Sequence, residues 1–373
     1  MADADMQTRR VSYVDLVVKS AAERAALHAC LDAVLDHGQF VGGAEVEALE
    51  VSLARKCGTA HAIAVNSGTD ALTLALRALE IGPGDEVITP PNSFVASAAA
   101  IANVGARPVF ADVQPDQNID PAAIKNVISA RTRAIMPVHL TGRIADMPAI
   151  NAIADEHRLA VVEDAAQAMG SRYDGAPSGS LGTIGCFSAH PLKNLNALGD
   201  AGFVTTSDDA LANRIRRLRN HGLVDRDTVA EWGVVSRMDA FQAAVLMVRL
   251  EELDDVIARR RANVAAYRER LDPERIFIPP CRNEEFNSFH TLVAQTDRRD
   301  ELKAYLSERG VETGIHYAVP IHLQPPAREL GYKVGDCPVA ERQAQRILTL
   351  PIHQHLTADD IAYVSDCVME FLT

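Results

Sequence analysis

From His61 onward the chain alternates short, densely apolar runs with amphipathic stretches. Residues 62–65, 86–89, 108–113, 134–139 and 159–163 are rich in Val, Ile and Ala and read as strands. Between them, 69–79, 94–104 and 147–157 place apolar residues at helical spacing. Residues 202–206 and a helix over 210–220 continue the series. Such repeated units predict an α/β fold, a mostly parallel central sheet with helices on both faces. Upstream, a short extended stretch from Val11 leads into an Ala- and Leu-rich helix. Gly42 and Gly43 interrupt the chain, and a second helix over 45–56 carries Val46, Leu49 and Leu53 on one face.

The second half changes character. A long helix is expected over 239–270, with a bend around 251–255 and a charged second half, as a spine between two domains. Beyond it come a strand over 288–294, a helix over 299–309, an extended Pro- and His-rich loop over 317–326 and a helix over 338–347. Thr357 is the expected cap of a last helix, with Asp359 and Asp360 in its first turn. The division falls at residue 255. Residues 1–255 form a large domain with an N-terminal arm, and 256–373 a smaller α+β domain.

Composition narrows the function classes. Apolar residues make up 47% and charged residues 23%, which suits a globular chain with a sizeable core. A formal net charge of −13 argues against a nucleic-acid partner, and the basic run Arg214–Arg219 reads as a solvated helix face. No apolar run reaches membrane-spanning length, and the polar stretch from Met1 to Arg10 lacks the apolar core of a signal peptide. The six cysteines show neither a CxxC pair nor metal-ligand spacing. A reduced, cytoplasmic protein without disulfides or a metal is expected, with no membrane partner.

Three stretches carry chemistry. Ser67-Gly68-Thr69 sits at a strand-to-helix turn, where free N–H groups and the helix dipole favour an anion; a plain N-cap fits the same residues. Asp164 ends an apolar run, at the sheet edge where ligands of α/β proteins bind, although an N-cap Asp is the commoner case. Gln167 follows by one helical turn. Lys193, one of six lysines, lies among Pro191, Leu192 and Leu195, where a partly desolvated amine is expected; Ser188 precedes it with a hydroxyl. A phosphate turn, a carboxylate and a later lysine match the needs of pyridoxal phosphate. The lysine would form the imine and the carboxylate would keep the pyridinium protonated. Phe94, after Pro90-Pro91-Asn92-Ser93, suits either stacking on a flat ring or a place in the core. Tyr317 and His322 share one loop with His316.

The ordered set of segments resembles the DegT/DnrJ/EryC1/StrS family of pyridoxal-phosphate sugar aminotransferases. The resemblance runs through Asn66-Ser-Gly-Thr-Asp-Ala-Leu72, Pro137-Val-His-Leu-Thr-Gly142, Glu163-Asp-Ala-Ala-Gln167, Ser188-Ala-His-Pro-Leu-Lys193 and Gly314-Ile-His-Tyr-Ala-Val-Pro-Ile-His322. It implies the aspartate aminotransferase fold (fold type I) and a homodimer with shared active sites. It also implies Lys193 as the imine-forming lysine, Asp164 as the pyridinium partner, Gln167 at the ring hydroxyl and Phe94 stacked on the ring. Gly68, Thr69 and Ser188 become phosphate ligands, and Tyr317 and His322 the loop near the substrate, reaching a neighbouring subunit.

The implied activity takes an amino group from L-glutamate, through pyridoxamine 5'-phosphate, to a keto sugar, nucleotide-linked and more like the 3-keto than the 4-keto branch. A cyclitol ketone or a non-nucleotide keto sugar is an alternative acceptor. The dehydratases of the same family carry His where this chain has Lys193. A cofactor-binding regulatory or sensor protein without turnover is the alternative of another class. One departure bears on it: Val235 stands where the family usually has an Asn that reaches the partner's cofactor phosphate. Valine cannot donate a hydrogen bond, so that contact is lost unless Ser236 or water replaces it.

Overall fold

The computed structural model describes residues 9–373, so most of the polar stretch weighed as a non-signal lies outside the described residues. Two N-terminal helices, α1 (Ala21–His37) and α2 (Ala44–Cys57), lead into the sheet. Its strands are β1 (His61–Val65), β2 (Glu86–Thr89), β3 (Arg107–Phe110), β4 (Thr132–Ile135) and β5 (Ala160–Asp164). A small hairpin, β6 (Arg172–Tyr173) and β7 (Ala176–Pro177), precedes the last two, β8 (Ile184–Ser188) and β9 (Gly202–Thr206). The seven-stranded order is β1-β9-β8-β5-β4-β2-β3. From β8 to β3 every pairing is parallel, whereas β9 runs antiparallel to both β8 and β1.

The alternation of strand side chains explains the layers. On β1, Ile63 and Val65 face the cluster that includes α3 (Gly68–Ala78), α4 (Ala96–Asn103) and, later in the chain, α7 (Asp209–Leu218). Ala62 and Ala64 face the opposite cluster, with α2 and the first half of α8 (Ala240–Arg270). A third cluster joins β4 and β5 to α5 (Pro121–Val127) and α6 (Met147–His157). Helix α5 escaped the sequence reading, being short and poor in large apolar residues.

Helix α8 is continuous over 31 residues, about 46 Å at the usual rise. Ala243, Leu246, Leu253 and Ile257 bury against the sheet, while Val264 and Tyr267 enter a separate C-terminal core. That core holds β11 (Leu292–Gln295) and β12 (Ile347–Leu350), an antiparallel pair, with α9 (Arg299–Glu308) and α12 (Ala358–Leu372). Strand β10 (Glu285–Phe286) reaches back to pair with β6. Thr357 caps α12 in a reciprocal arrangement with Asp360.

Several expected elements differ for identifiable reasons. The strand expected over 288–294 begins only at Leu292, because the Ser288 backbone is occupied by side chains: its N–H donates to Ser171 Oγ (3.1 Å) and its carbonyl accepts from Asn194 Nδ2 (3.1 Å). The strand expected over 134–139 stops at Ile135, and Val138 keeps only an isolated bridge to Asp164; Pro137 has no N–H to extend the ladder. The loop expected over 317–326 contains a 3₁₀ turn (Ile321–Leu323) and the start of α10 (Pro325–Glu329), which opens on proline, a favoured first helical residue. Helix α11 (Pro338–Arg346) ends as β12 begins.

Candidate active site

The C-terminal ends of β1, β5 and β8 meet at one edge of the sheet. There β1 turns into α3 through Ser67, whose side chain accepts from the Asp70 N–H (3.1 Å). A Cβ on Gly68 would lie 2.6 Å from Ser188 Cβ, and one on Gly202 would lie 2.4 Å from the Ser67 carbonyl carbon. Only glycines permit this close approach of the α3 N-terminus to β8 and β9. The result is a narrow cradle where the α3 N-terminus at Gly68 packs against Ser188, and a first turn with free N–H groups beside a hydroxyl suits a phosphate.

Asp164 ends β5 and is 5% exposed. Ser97 on α4 donates to Oδ2 at 2.7 Å, and the Ala166 N–H donates to Oδ1 at 3.2 Å. Among the described residues no Lys, Arg or His lies within ion-pair distance of this carboxylate. Burial raises its pKa, against the weaker opposing pull of those two hydrogen bonds, Lys193 and His139. Its neighbour Glu163 is tightly ligated: it accepts from His139 Nε2 (2.9 Å) and from the N–H groups of Gly179 (2.8 Å), Leu181 (2.8 Å) and Gly182 (2.6 Å).

Lys193 stands on the loop after β8, half-buried, and burial pushes its amine down to about 8 while Asp164 pulls the other way. The loop is pinned at several points. Asn194 donates to the Ser288 carbonyl (3.1 Å), the Leu198 N–H donates to Gln242 Oε1 (2.8 Å), and Arg249 donates to the Asn196 carbonyl (2.9 Å). Gln242 and Arg249 both belong to α8.

Gln167 is buried, and its Oε1 accepts from the Thr141 N–H (2.8 Å), so its NH₂ is the end left to donate, with the Tyr317 hydroxyl nearby. Thr141 has φ of 64°, an uncommon conformation for a β-branched residue, and that conformation aims its N–H at Gln167. Phe94 is 55% exposed and lies beside Tyr317, ring centroids 5.8 Å apart. Burial pushes the Tyr317 phenol up to about 12, with Asp164 adding to the effect.

The structure thus groups Lys193, Asp164, Gln167, Phe94 and Tyr317 at one edge, with the Gly68–Thr69–Ser188 cradle beside them. His322 is not brought to Lys193. It is wholly buried, paired through Nε2 with Glu341 (3.0 Å) and packed near Phe110. His316 instead lines the cavity that contains Lys193, its Nδ1 2.8 Å from Thr349 Oγ1 and its ring stacked on Tyr13. Val235 is half exposed, and Ser236 is buried with its Oγ accepting from the Asn66 N–H (3.2 Å). Ser236 is thus turned into its own chain, away from the surface that Val235 presents. Sequence reasoning missed Ser97, which lies one helical turn past Phe94 with no motif of its own. It also missed the His139–Glu163 pair, although both residues lie in motifs that carry the resemblance.

Asp164 tests the fit of the implied cofactor. A buried carboxylate without a cationic partner, facing a depressed lysine amine and a glycine-lined anion cradle, fits pyridoxal phosphate. Among the described residues no cluster of His, Cys, Asp and Glu is arranged to hold a metal ion, and no helix is long and apolar enough to cross a membrane.

A sequence model of the DegT/DnrJ/EryC1/StrS aminotransferase family matches residues 22–369. The chain is 42% identical over 367 residues to a dTDP-3-amino-3,4,6-trideoxy-alpha-D-glucose transaminase of Streptomyces venezuelae, covering 98% of this chain and 97% of that one. It is 41% identical to a pleiotropic regulatory protein of Geobacillus stearothermophilus, covering 91% and 93%. Among solved structures, S. venezuelae DesV in complex with a ketimine intermediate superposes with a TM-score of 0.95 at 43% identity, covering 98% and 99%. The PMP form of a putative sugar aminotransferase from Streptococcus pneumoniae gives 0.89 at 26% identity, covering 95% and 98%.

Proposed function

The chain belongs to the DegT/DnrJ/EryC1/StrS aminotransferase family, and on that premise we propose that it transfers an amino group from L-glutamate to a nucleotide-linked keto sugar, with a 3-keto sugar favoured. The observation that carries this reading is the pairing of Asp164, buried and without a cation, with Lys193, whose amine is held near 8. Pyridoxal phosphate, when bound, supplies a carbonyl that captures amines and a pyridinium ring that withdraws electrons.

This chain's residues would do the rest. The N–H groups of Gly68 and Thr69, with the Ser188 hydroxyl, would hold the phosphate. Asp164 would keep a proton on the ring nitrogen, its charge in turn supported by Ser97. The Gln167 NH₂ would donate to the ring hydroxyl, and Phe94 would cover one face of the ring. Lys193, with a pKa of about 8, would take up and return a proton at Nζ close to neutral pH. Tyr317, beside Phe94, would meet the substrate, while His322, paired with Glu341, would only support the loop. The S. venezuelae relative, whose name specifies a 3-amino sugar, supports the 3-keto preference.

The partner would be a second copy of the chain. Support comes from the exposed apolar segment around Trp232, 87% exposed, next to Val235, the position from which the family reaches across the interface. A regulatory protein that binds the cofactor without turnover is the second reading, favoured by Val235 and by the Geobacillus relative.

The visible spectrum of the protein with pyridoxal phosphate decides between them. A yellow band that bleaches with L-glutamate, and is absent in Lys193→Ala, supports the aminotransferase. A yellow band indifferent to glutamate favours the regulatory reading, and no band at saturating cofactor overturns both.

A further inference from the structure

Behind the Lys193 loop lies a cavity of about 300 Å³, lined by Tyr13, Lys193, Asn194, Arg260, His290 and His316 among others. Arg260 comes from α8 and is 8% exposed. Its Nη1 donates to the His290 carbonyl (3.0 Å) and more weakly to that of Phe289 (3.4 Å), and its Nη2 donates to Gln354 Oε1 (3.2 Å). Its Nε has no hydrogen-bond partner. Among the described residues no carboxylate lies within 4.0 Å of it. The two other buried arginines, Arg143 and Arg299, each have a carboxylate partner, Glu285 at 3.1 Å and Asp300 at 2.6 Å. A buried guanidinium without a counterion is unfavourable, and an arriving anion would offset that cost.

Three more buried polar atoms of residues lining the same cavity are also without partners: Asn194 Oδ1, His290 Nδ1 and Thr291 Oγ1. The local field is positive. Burial, with Lys193 and Arg260 next in effect, drives His290 well below the usual histidine range, so it stays neutral. Acids at the mouth do not compensate: Asp15 pairs with Lys19 (2.5 Å), Glu23 pairs with Arg249 (3.1 Å), and Glu252 and Asp255 are exposed to solvent.

We propose that Arg260 receives the side-chain carboxylate of the amino donor, L-glutamate, so that the donor's amine would reach, from this cavity, the cofactor carbonyl that Lys193 would hold. The free Nε–H and the second Nη2–H form one edge of the planar fork, the edge that grips a carboxylate in a bidentate manner. The preference for a dicarboxylic donor over L-alanine would then lie in α8, away from the residues that would meet the sugar. The inference rests on the glutamate-donor reading above.

Holoenzyme is titrated with L-glutamate and with L-alanine, following loss of the yellow band, for the native protein and for Arg260→Gln and Arg260→Lys. Arg260→Gln should raise the half-saturating glutamate concentration by about tenfold or more at a similar limiting rate, and Arg260→Lys by less, since it keeps the charge but not the fork. Half-saturation by L-alanine should stay unchanged, and glutarate should compete with glutamate only where Arg260 is present. Unchanged glutamate saturation in Arg260→Gln, or equal losses for both donors, overturns the assignment. A native holoenzyme that ignores glutamate defeats the functional reading instead. Should both variants fail to fold, a crystal structure of native holoenzyme with glutarate takes their place. A carboxylate about 3 Å from the Arg260 guanidinium supports the proposal, and glutarate elsewhere or absent sinks it.

Discussion

Asp164 makes opposite demands on the protein with and without its ligand, and the substitution Asp164→Asn separates them. In the apoprotein the carboxylate is 5% exposed, held by two donors, and its pKa lies above the ordinary aspartate value because burial disfavours the charge. A carboxyl whose folded pKa is raised stabilises the fold fully below the unfolded value, and that contribution is lost as pH rises through the folded one. Near neutral pH the charge is therefore a liability of about 1.4 kcal/mol for each unit of upward displacement.

Asparagine removes the charge and keeps the contacts. Its amide oxygen accepts from the Ala166 N–H, and its NH₂ donates to Ser97 Oγ, whose own proton can turn to the Phe94 carbonyl, 3.4 Å away. The apoprotein variant should be more stable near neutral pH by about 1 kcal/mol or more, a rise of about 2 °C in Tm for a chain of this size. Urea midpoints of apoprotein at neutral pH and in mild acid test the sign, because the advantage should shrink as native Asp164 becomes protonated. The holoenzyme should move the other way, losing about a hundredfold or more in the glutamate half-reaction, since an amide cannot hold the ring nitrogen protonated. An apoprotein variant less stable than the native protein at neutral pH, or a gain that persists in acid, would refute the reasoning.

Gly202→Ala forces a Cβ to within 2.4 Å of the Ser67 backbone, so the strand and the α3 N-terminus must part. It should cost about 1–3 kcal/mol and weaken cofactor binding about tenfold, and equilibrium dialysis showing native affinity would remove the cradle from the account. In the apoprotein, amine-reactive labelling of Lys193 should show a midpoint at about 8. Its contribution to stability is full above the ordinary lysine value and is lost as pH falls through that midpoint; labelling that titrates like a surface lysine contradicts the desolvation argument. Glu163→Gln leaves one acceptor oxygen for donors that used two, and it should destabilise the protein by about 3–5 kcal/mol in urea unfolding; a loss under about 1 kcal/mol would show the network to be dispensable.

The layered α/β architecture was legible because the strands near the sheet centre are short apolar runs between helical periods, and their spacing leaves few topologies. The antiparallel placement of β9 between β1 and β8 was not, since nothing local marks which distant strand a run will join. Gly68, Asp164 and Lys193 stood out because each breaks its local pattern: a glycine in a helix start, a carboxylate at the end of a strand, a lysine among apolar residues. Ser97 conforms to its helix, and only the fold carries it across 67 positions to Asp164. Arg260 was hidden for the opposite reason. It follows Arg259 and precedes Arg261 in a stretch that reads as solvated charge, and only the packing of α8 shows that it alone of the three is buried. His322 shows the limit of reading a loop as a unit, for its neighbour His316 lines the Lys193 cavity while His322 turns inward to Glu341.

The attachment of the lysine loop to α8 has a further consequence for how the protein opens. A segment of Pro, Asn and Leu without regular structure would ordinarily fray by itself and exchange its amide hydrogens quickly. Here freeing the Leu198 amide means releasing Gln242, and lifting Asn196 means releasing Arg249, two residues of the helix that also anchors the C-terminal core. Loop and helix therefore form one cooperative unit, and the slow exchange clock of α8 should govern the loop as well. A protease that finds Lys193 accessible would then be reporting on molecules in which the spine itself has let go.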